Sequence, residues 1–320
     1  MRSGYVINKV YRRLLIMLIM LVTSVGTRAQ YDVSFGHYWS MEPSFNPAAV
    51  GKESKLNVAV AYALQMAGFE NNPKTMYAAA DMPFYALKSY HGVGLQFMND
   101  AIGAFTHKRF GLQYAFQRHL LGGKLSLGLQ ATMLSENLDG SKIDVIDTGD
   151  PVFTTSAVNG TGFDLGLGLY YLHRNWYVGA SVLHLNAPKV ELGETNELKI
   201  DPTYYLTAGY NIRLSHPFLS VQTSVLGRTD GVAYRGDVTA RLKYEHEQKM
   251  MYGGVSYSPT NSVTLIIGGN FKGIHVGYSY EIYTSAISIS NGSHELFVGY
   301  QTELNLYKKG RNLHKSVRFL

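Results

Sequence analysis

Lys272–Tyr283 reads KGIHVGYSYEIY, and sorting it by parity decides the fold. Ile274, Val276, Tyr278, Tyr280 and Ile282 form one set, and Gly273, His275, Gly277, Ser279 and Glu281 form the other. Successive strand residues point to opposite faces of a sheet, so this is a strand with one apolar face and one that tolerates charge and glycine. Further up the chain, Phe163, Leu165, Leu167, Leu169 and Tyr171 alternate with Asp164, Gly166, Gly168 and Tyr170. From Asp237, Val238, Ala240, Leu242 and Tyr244 alternate with Asp237, Thr239, Arg241, Lys243 and Glu245.

Fourteen such runs are legible, at 56–67, 74–82, 91–99, 105–117, 124–135, 162–172, 175–185, 204–214, 218–226, 234–245, 250–258, 262–271, 272–283 and 293–304. Most have about the 9–11 residues a tilted membrane strand needs. Short links at Leu120–Lys124, His173–Asn175, Ser215–Pro217, Glu247–Lys249 and Phe271–Gly273 alternate with longer ones at Glu136–Thr161, Asn186–Thr203, Gly227–Ala233 and Thr284–Gly292. Tight periplasmic turns and longer extracellular loops alternate in this way, and a secreted β-sandwich has no reason to. Two links break the pattern: Ser258–Asn261 is short where a loop is expected, and Pro83–Tyr90 is long where a turn is expected. Tyr77, Tyr171, Tyr204, Tyr205, Tyr283 and Tyr300 lie near run ends, where the aromatic girdles of a barrel sit. The expected fold is all-β: a transmembrane antiparallel up-and-down β-barrel of about 14 strands, with an N-terminal plug segment.

The first residues predict export. Arg2, Lys9, Arg12 and Arg13 precede the apolar run Leu14–Val25, and Thr27-Arg28-Ala29 offers small residues at a cleavage site. A twelve-residue run is too short for a retained membrane helix, and with no cysteine in the chain a lipoprotein is excluded. The expected organisation is a signal peptide at 1–29, a plug segment at 30–55, the barrel at 56–304 and a periplasmic tail at 305–320. Five of the 29 basic residues leave with the signal, so the net charge falls from +6 to 24 − 23 = +1. Nucleic-acid binding is not indicated. Only 16% of residues are charged, while 33 are glycine and 24 tyrosine, which favours a barrel wall over a soluble enzyme.

Candidate chemistry is sparse. Asp144, Asp147 and Asp150 beside Gly149 fall in 142–152 without the spacing of an EF-hand, leaving a solvated loop or a calcium site open. Gly162, Gly166 and Gly168 lie within uninterrupted strand alternation, so they are interior wall positions rather than a dinucleotide loop. His275 and His294 fall on the polar faces of neighbouring runs and could pair on a metal inside the lumen; hydrogen-bonded histidines are the plainer expectation. No G-x-S-x-G elbow occurs, and neither enzyme activity nor a cofactor is indicated.

Gln30–Glu53 shows no alternation yet carries Tyr31, Phe35, Tyr38, Trp39 and Phe45, which water-exposed linkers lack. The expectation is that it folds into the lumen, with Asn46-Pro47 ending an extended stretch and Gly51 bending into the first strand. Docking of this segment on a periplasmic partner is the alternative.

Three places resemble the PorP/SprF outer-membrane proteins of the type IX secretion system in gliding and related Bacteroidetes. They are QYDVSFGHYWSMEPSFNPAAVG at 30–51, with Phe45, Asn46, Pro47, Ala48 and Gly51; GSHELFVGY at 292–300, with Gly292, Ser293, His294, Glu295, Gly299 and Tyr300; and the basic tail ending Ser316-Val317-Arg318-Phe319-Leu320. The tail departs from the commoner barrel ending in a terminal aromatic residue. The resemblance implies a non-enzymatic outer-membrane component supporting secretion or surface assembly of large proteins such as gliding adhesins. It also implies partners in the same periplasmic and outer-membrane machinery. The N-P-A element is also similar to FadL-type channels for small hydrophobic substrates, which makes uptake the alternative function.

Overall fold

A computed structural model describes residues 32–142, 157–193, 196–247, 249–284 and 291–304. The expected signal peptide, the tail at 305–320 and Asp144, Asp147 and Asp150 lie outside the described residues.

Sixteen strands occur among the described residues. The first seven are β1 (Lys55–Leu64), β2 (Lys74–Ala86), β3 (Ser89–Ile102), β4 (Phe105–Leu120), β5 (Gly123–Asp139), β6 (Ala157–Leu172) and β7 (Trp176–Leu183). A small hairpin follows, β8 (Lys189–Leu192) with β9 (Asn196–Lys199). The rest are β10 (Thr203–Arg213), β11 (Leu219–Thr229), β12 (Tyr234–His246), β13 (Lys249–Ser258), β14 (Ser262–Phe271), β15 (Ile274–Tyr283) and β16 (Ser293–Glu303). All but β8 and β9 join one closed antiparallel barrel of fourteen strands, β7 pairing with β10 and β16 with β1. Closure runs in register from Lys55 opposite Glu303 to Leu64 opposite His294. It leaves no unpaired sheet edge, the condition for a sheet to survive in hydrocarbon.

Parity places the side chains as the alternation requires. Val276, Leu167, Leu242 and Leu296 are exposed on the outer face, while Gly277, Gly166, Arg241 and Glu295 face inward. On β4, β5 and β6 the outward residues are apolar from Phe110 to Phe116, Leu125 to Met133 and Phe163 to Tyr171. Beyond that band, away from the chain termini, they become Thr106, Lys108, Ser135, Asn137, Asn159 and Thr161. A continuous outer belt of exposed apolar side chains with polar rims is a lipid-facing surface.

Three details depart from expectation. Pro83–Tyr90 is not a long link: β2 and β3 run through it to a two-residue turn at Leu87 and Lys88, whose φ values of 48° and 59° are those of a type I′ hairpin. Pro83 is tolerated because β1 stops pairing with β2 at Asp81, so no ladder bond is lost there. The β8–β9 hairpin was not anticipated in Asn186–Thr203, since four residues are too few to show a period. Its Val190 is fully buried against β6, where Gly160 and Gly162 leave room. Among the six tyrosines expected in girdles, Tyr204 and Tyr300 face out, but Tyr77 and Tyr205 are buried inside and Tyr283 bonds Ser293. Period two sends consecutive Tyr204 and Tyr205 to opposite faces whatever their role.

Candidate functional site

Residues 32–53 pack inside the ring of strands. Their backbone cannot follow a sheet ladder, so it folds into three short 3-10 turns, Tyr38–Ser40, Glu42–Ser44 and Pro47–Ala49, and takes most other partners from the wall. Phe35, Tyr38, Met41 and Phe45 are buried, as their apolar character requires. Asn46-Pro47 does not end an extended stretch. Asn46 instead caps the third turn, its Oδ1 accepting the Ala48 N–H at 2.9 Å.

The family-motif residues take distinct seats. The Phe45 ring stacks on Tyr205 with centroids 5.6 Å apart, and its carbonyl accepts the Ser181 hydroxyl at 2.6 Å. Asn46 Nδ2 donates to the Leu169 carbonyl at 3.1 Å. Pro47 and Ala48 lie directly on Gly128 and Gly168; a Cβ at Gly128 would stand 2.1 Å from the Ala48 nitrogen. These glycines do not leave the lumen empty, as a bare wall reading suggests; they let another backbone approach. Gly51 turns the chain towards β1 at φ 63°, donates to Asp81 at 2.8 Å and accepts from Gln117 at 3.0 Å.

The second motif meets the first at one residue. Glu295, on the inner face of β16, accepts the backbone N–H of Gly36 at 2.6 Å and of His37 at 2.9 Å. Gly292 has φ 78° at the preceding turn, and the Ser293 hydroxyl accepts the Met66 N–H at 3.0 Å. Gly299 faces inward, whereas Tyr300 is exposed outside. His294 is also on the outer face, bonded to Tyr278 at 2.6 Å, while His275 faces inward and bonds Gln301 at 3.1 Å. The proposed histidine pair therefore fails: His294 neighbours inward Glu295, and parity puts it across the wall from His275.

Asp32, at the upper end of the segment, is held by Tyr205, expected in a girdle, and by Arg109, His184 and Arg228, for which the sequence suggested no role. It pairs with Arg109, accepts the Tyr205 hydroxyl at 2.6 Å and lies 3.3 Å from His184 Nε2. Arg228 donates to its carbonyl at 2.7 Å, and His184 Nδ1 lies 3.0 Å from Asp164. Burial alone would raise the Asp32 carboxyl, but the His184 and Arg109 charges outweigh it and hold the group well below its usual range. Burial likewise opposes charge on His184, yet Asp32 and Asp164 push it up to about 9. The signal for these residues was inward parity: Arg109, Asp164 and Arg228 are charges on strand faces that point into the lumen.

Below the segment, towards the chain termini, lies a cavity of about 830 Å³. Lys55, Glu247, Lys249 and Lys272 stand at its mouth; Trp39, Arg241 and Tyr252 stand at its inner end. Glu42 and Lys52 pair on its flank, and the Tyr170 hydroxyl donates to Glu42 at 3.2 Å.

Comparison with known proteins gives three findings. The family described as "Type IX secretion system membrane protein PorP/SprF" matches residues 27–300. No curated protein matches the chain. Among solved structures, the chain is similar in fold to the CymD monoaromatic hydrocarbon channel, with 12% identity, a TM-score of 0.52, and 87% of this chain and 95% of that one covered. A FadL homologue of Pseudomonas aeruginosa aligns at 9% identity and TM-score 0.46, over 79% of this chain and 89% of that one.

Proposed function

The chain belongs to the PorP/SprF family of type IX secretion system membrane proteins, and on that premise we propose that it is a non-enzymatic accessory component of type IX secretion and gliding motility. It resides in the bacterial outer membrane, as its family and its closed lipid-facing barrel require. Its role is to support export or surface assembly of large adhesin-like proteins, in contact with periplasmic and outer-membrane members of the machine. Residues 1–29 act as the cleaved signal, 30–55 as a plug and 305–320 as a periplasmic tail.

Family membership carries this reading. The lumen supports it: a segment bonded to wall residues on β2, β4, β6, β7, β10, β11 and β16 suits a scaffold more than an open pore. Uptake of small hydrophobic substrates is the second reading, favoured by the hydrocarbon-channel fold of its neighbour. Against it, the cavity is walled by Glu42, Lys52, Asp81, Arg241 and Lys243, whereas sites for apolar ligands are lined chiefly by apolar groups.

Deletion of the gene, followed by a secretome comparison and a hydrophobic-nutrient uptake assay on the same strain, tests both readings. Large surface proteins retained in the periplasm with normal uptake are expected. An unaltered secretome with impaired uptake reverses the ranking.

A further inference from the structure

Arg241 is a cation left without a counter-charge. Its side chain is on the inner face of β12, only 8% exposed, at the inner end of the 830 Å³ cavity. It forms no ion pair among the described residues, and its Nε finds no acceptor. Space for it is built into the wall: Gly254 is its partner across the β12–β13 ladder, and a Cβ there would come within 2.6 Å of the Arg241 Cγ. The carboxylates nearby are already engaged. Glu42 pairs with Lys52, Glu245 with Lys243 at 2.8 Å, and Asp81 accepts from Gly51 and Asn57.

The guanidinium sits over Trp39, its Cζ 3.8 Å from the ring centroid. Contact with a ring face uses none of its N–H donors for a hydrogen bond, so they stay available to another partner. A buried cation with unused donors is costly unless something supplies the missing negative charge. The mouth carries Lys55, Lys249 and Lys272 together with Glu53, Glu247 and Glu303, so its charges balance and the unanswered one is that of Arg241 at the inner end. One uncompensated charge calls for one negative charge; the planar fork can bind a carboxylate or a phosphate bidentately, and it is the single charge that favours the carboxylate over a phosphate monoester.

We propose that this cavity is a carboxylate-binding site, open at the end of the barrel that carries the chain termini, with Arg241 on Trp39 as its anchor. The carboxylate belongs either to a small free acid or to an acidic side chain of an extended peptide. The site stands on the lumen geometry whether or not the secretion reading holds.

The chain has two tryptophans, so Trp176→Phe leaves Trp39 as the sole reporter beside the anchor. The full-length protein in detergent is titrated with propionate, with a blocked glutamate-containing peptide, with its glutamine counterpart and with inorganic phosphate. A saturable change in Trp39 fluorescence with propionate identifies a small-acid site; one seen only with the glutamate peptide identifies a peptide site. Arg241→Gln is expected to weaken the response about ten-fold or more, as loss of a charge-assisted pair does. Should that variant misfold, protection of Arg241 from phenylglyoxal by the same probes, mapped by mass spectrometry on the unsubstituted protein, gives the same answer. Phosphate binding as tightly as the carboxylates overturns the ligand class. No saturable response together with no protection, or a response unchanged in a folded Arg241→Gln protein, overturns the site.

Discussion

Glu295 and His37, 258 positions apart in sequence, are joined twice: one carboxylate oxygen accepts the His37 backbone N–H at 2.9 Å and its Nδ1 at 2.7 Å. The second oxygen takes the Gly36 N–H at 2.6 Å. A single acid on the last strand therefore holds the lumenal segment to the seam where the barrel closes, because β16 pairs directly with β1.

Glu295→Ala removes every one of these acceptors and leaves buried N–H groups unpaired, at about 1–3 kcal/mol. The segment should become accessible to protease within residues 32–53 while the barrel stays folded, as judged by its heat-dependent mobility on gels. Glu295→Gln, which keeps an acceptor, should lie between. Protease resistance equal to that of the unsubstituted protein would show that other contacts hold the segment alone.

Parity of the wall can be tested within one strand. Val276→Arg places a charge on the lipid face, costing about 2–4 kcal/mol near the membrane midplane. Gly277→Arg points inward, where a Cβ already stands 2.4 Å from His37 Nε2 and 2.7 Å from the Tyr252 hydroxyl, so its cost falls on packing inside the lumen and not on the lipid face. Folding into lipid vesicles should fail or weaken for Val276→Arg; Gly277→Arg should insert and show a protease-sensitive segment. Equal insertion defects at both positions would contradict the assigned faces.

Attachment of the upper end of the segment should depend on pH. Raised to about 9 from 6.5, His184 lends stability that is complete below pH 6.5 and is lost as pH rises through about 9. Asp32, held below its usual value of 3.8, lends stability that is present above that pH and is lost only on stronger acidification. Protease sensitivity of 32–53 should therefore be least between those limits and increase from pH 7 towards 9. His184→Gln should flatten the alkaline limb; an unchanged pH profile in that variant would place the titrating group elsewhere.

Closure of the lumen is measured by conductance. In planar bilayers the full-length protein should be nearly silent, and a variant lacking residues 31–50 should conduct, since the Pro47–Ala49 turn and the Phe35 and Phe45 rings leave the bore together. If the two conduct alike, the segment does not seal the barrel.

The strand faces were legible because period two is a local property. Leu165, Leu167 and Leu169 had to point one way and Gly166 and Gly168 the other in any sheet, so the wall, its lipid face and the count of fourteen followed from alternation alone. The burial of Phe35, Tyr38 and Phe45 was also legible, since aromatic residues without a period still need cover. Local sequence was weaker at the turns. Leu87 and Lys88 adopt left-handed backbone without a glycine between them, so the two-residue hairpin gave no composition signal and Pro83 suggested a break.

Sequence by itself determined a closed, exported barrel with an aromatic segment before its first strand. Only the tertiary structure decided what meets inside it. Barrel closure sets Glu295 beside His37, gathers Arg109 of β4, Tyr205 of β10, Arg228 of β11 and His184 just past β7 around Asp32, and leaves Arg241 on Trp39 with no acid to answer it. The physical reason is that parity fixes which face a side chain takes, whereas its partner across the lumen depends on strand order, register and the path of a segment that obeys no period. These are distances across a ring, and no spacing along the chain encodes them.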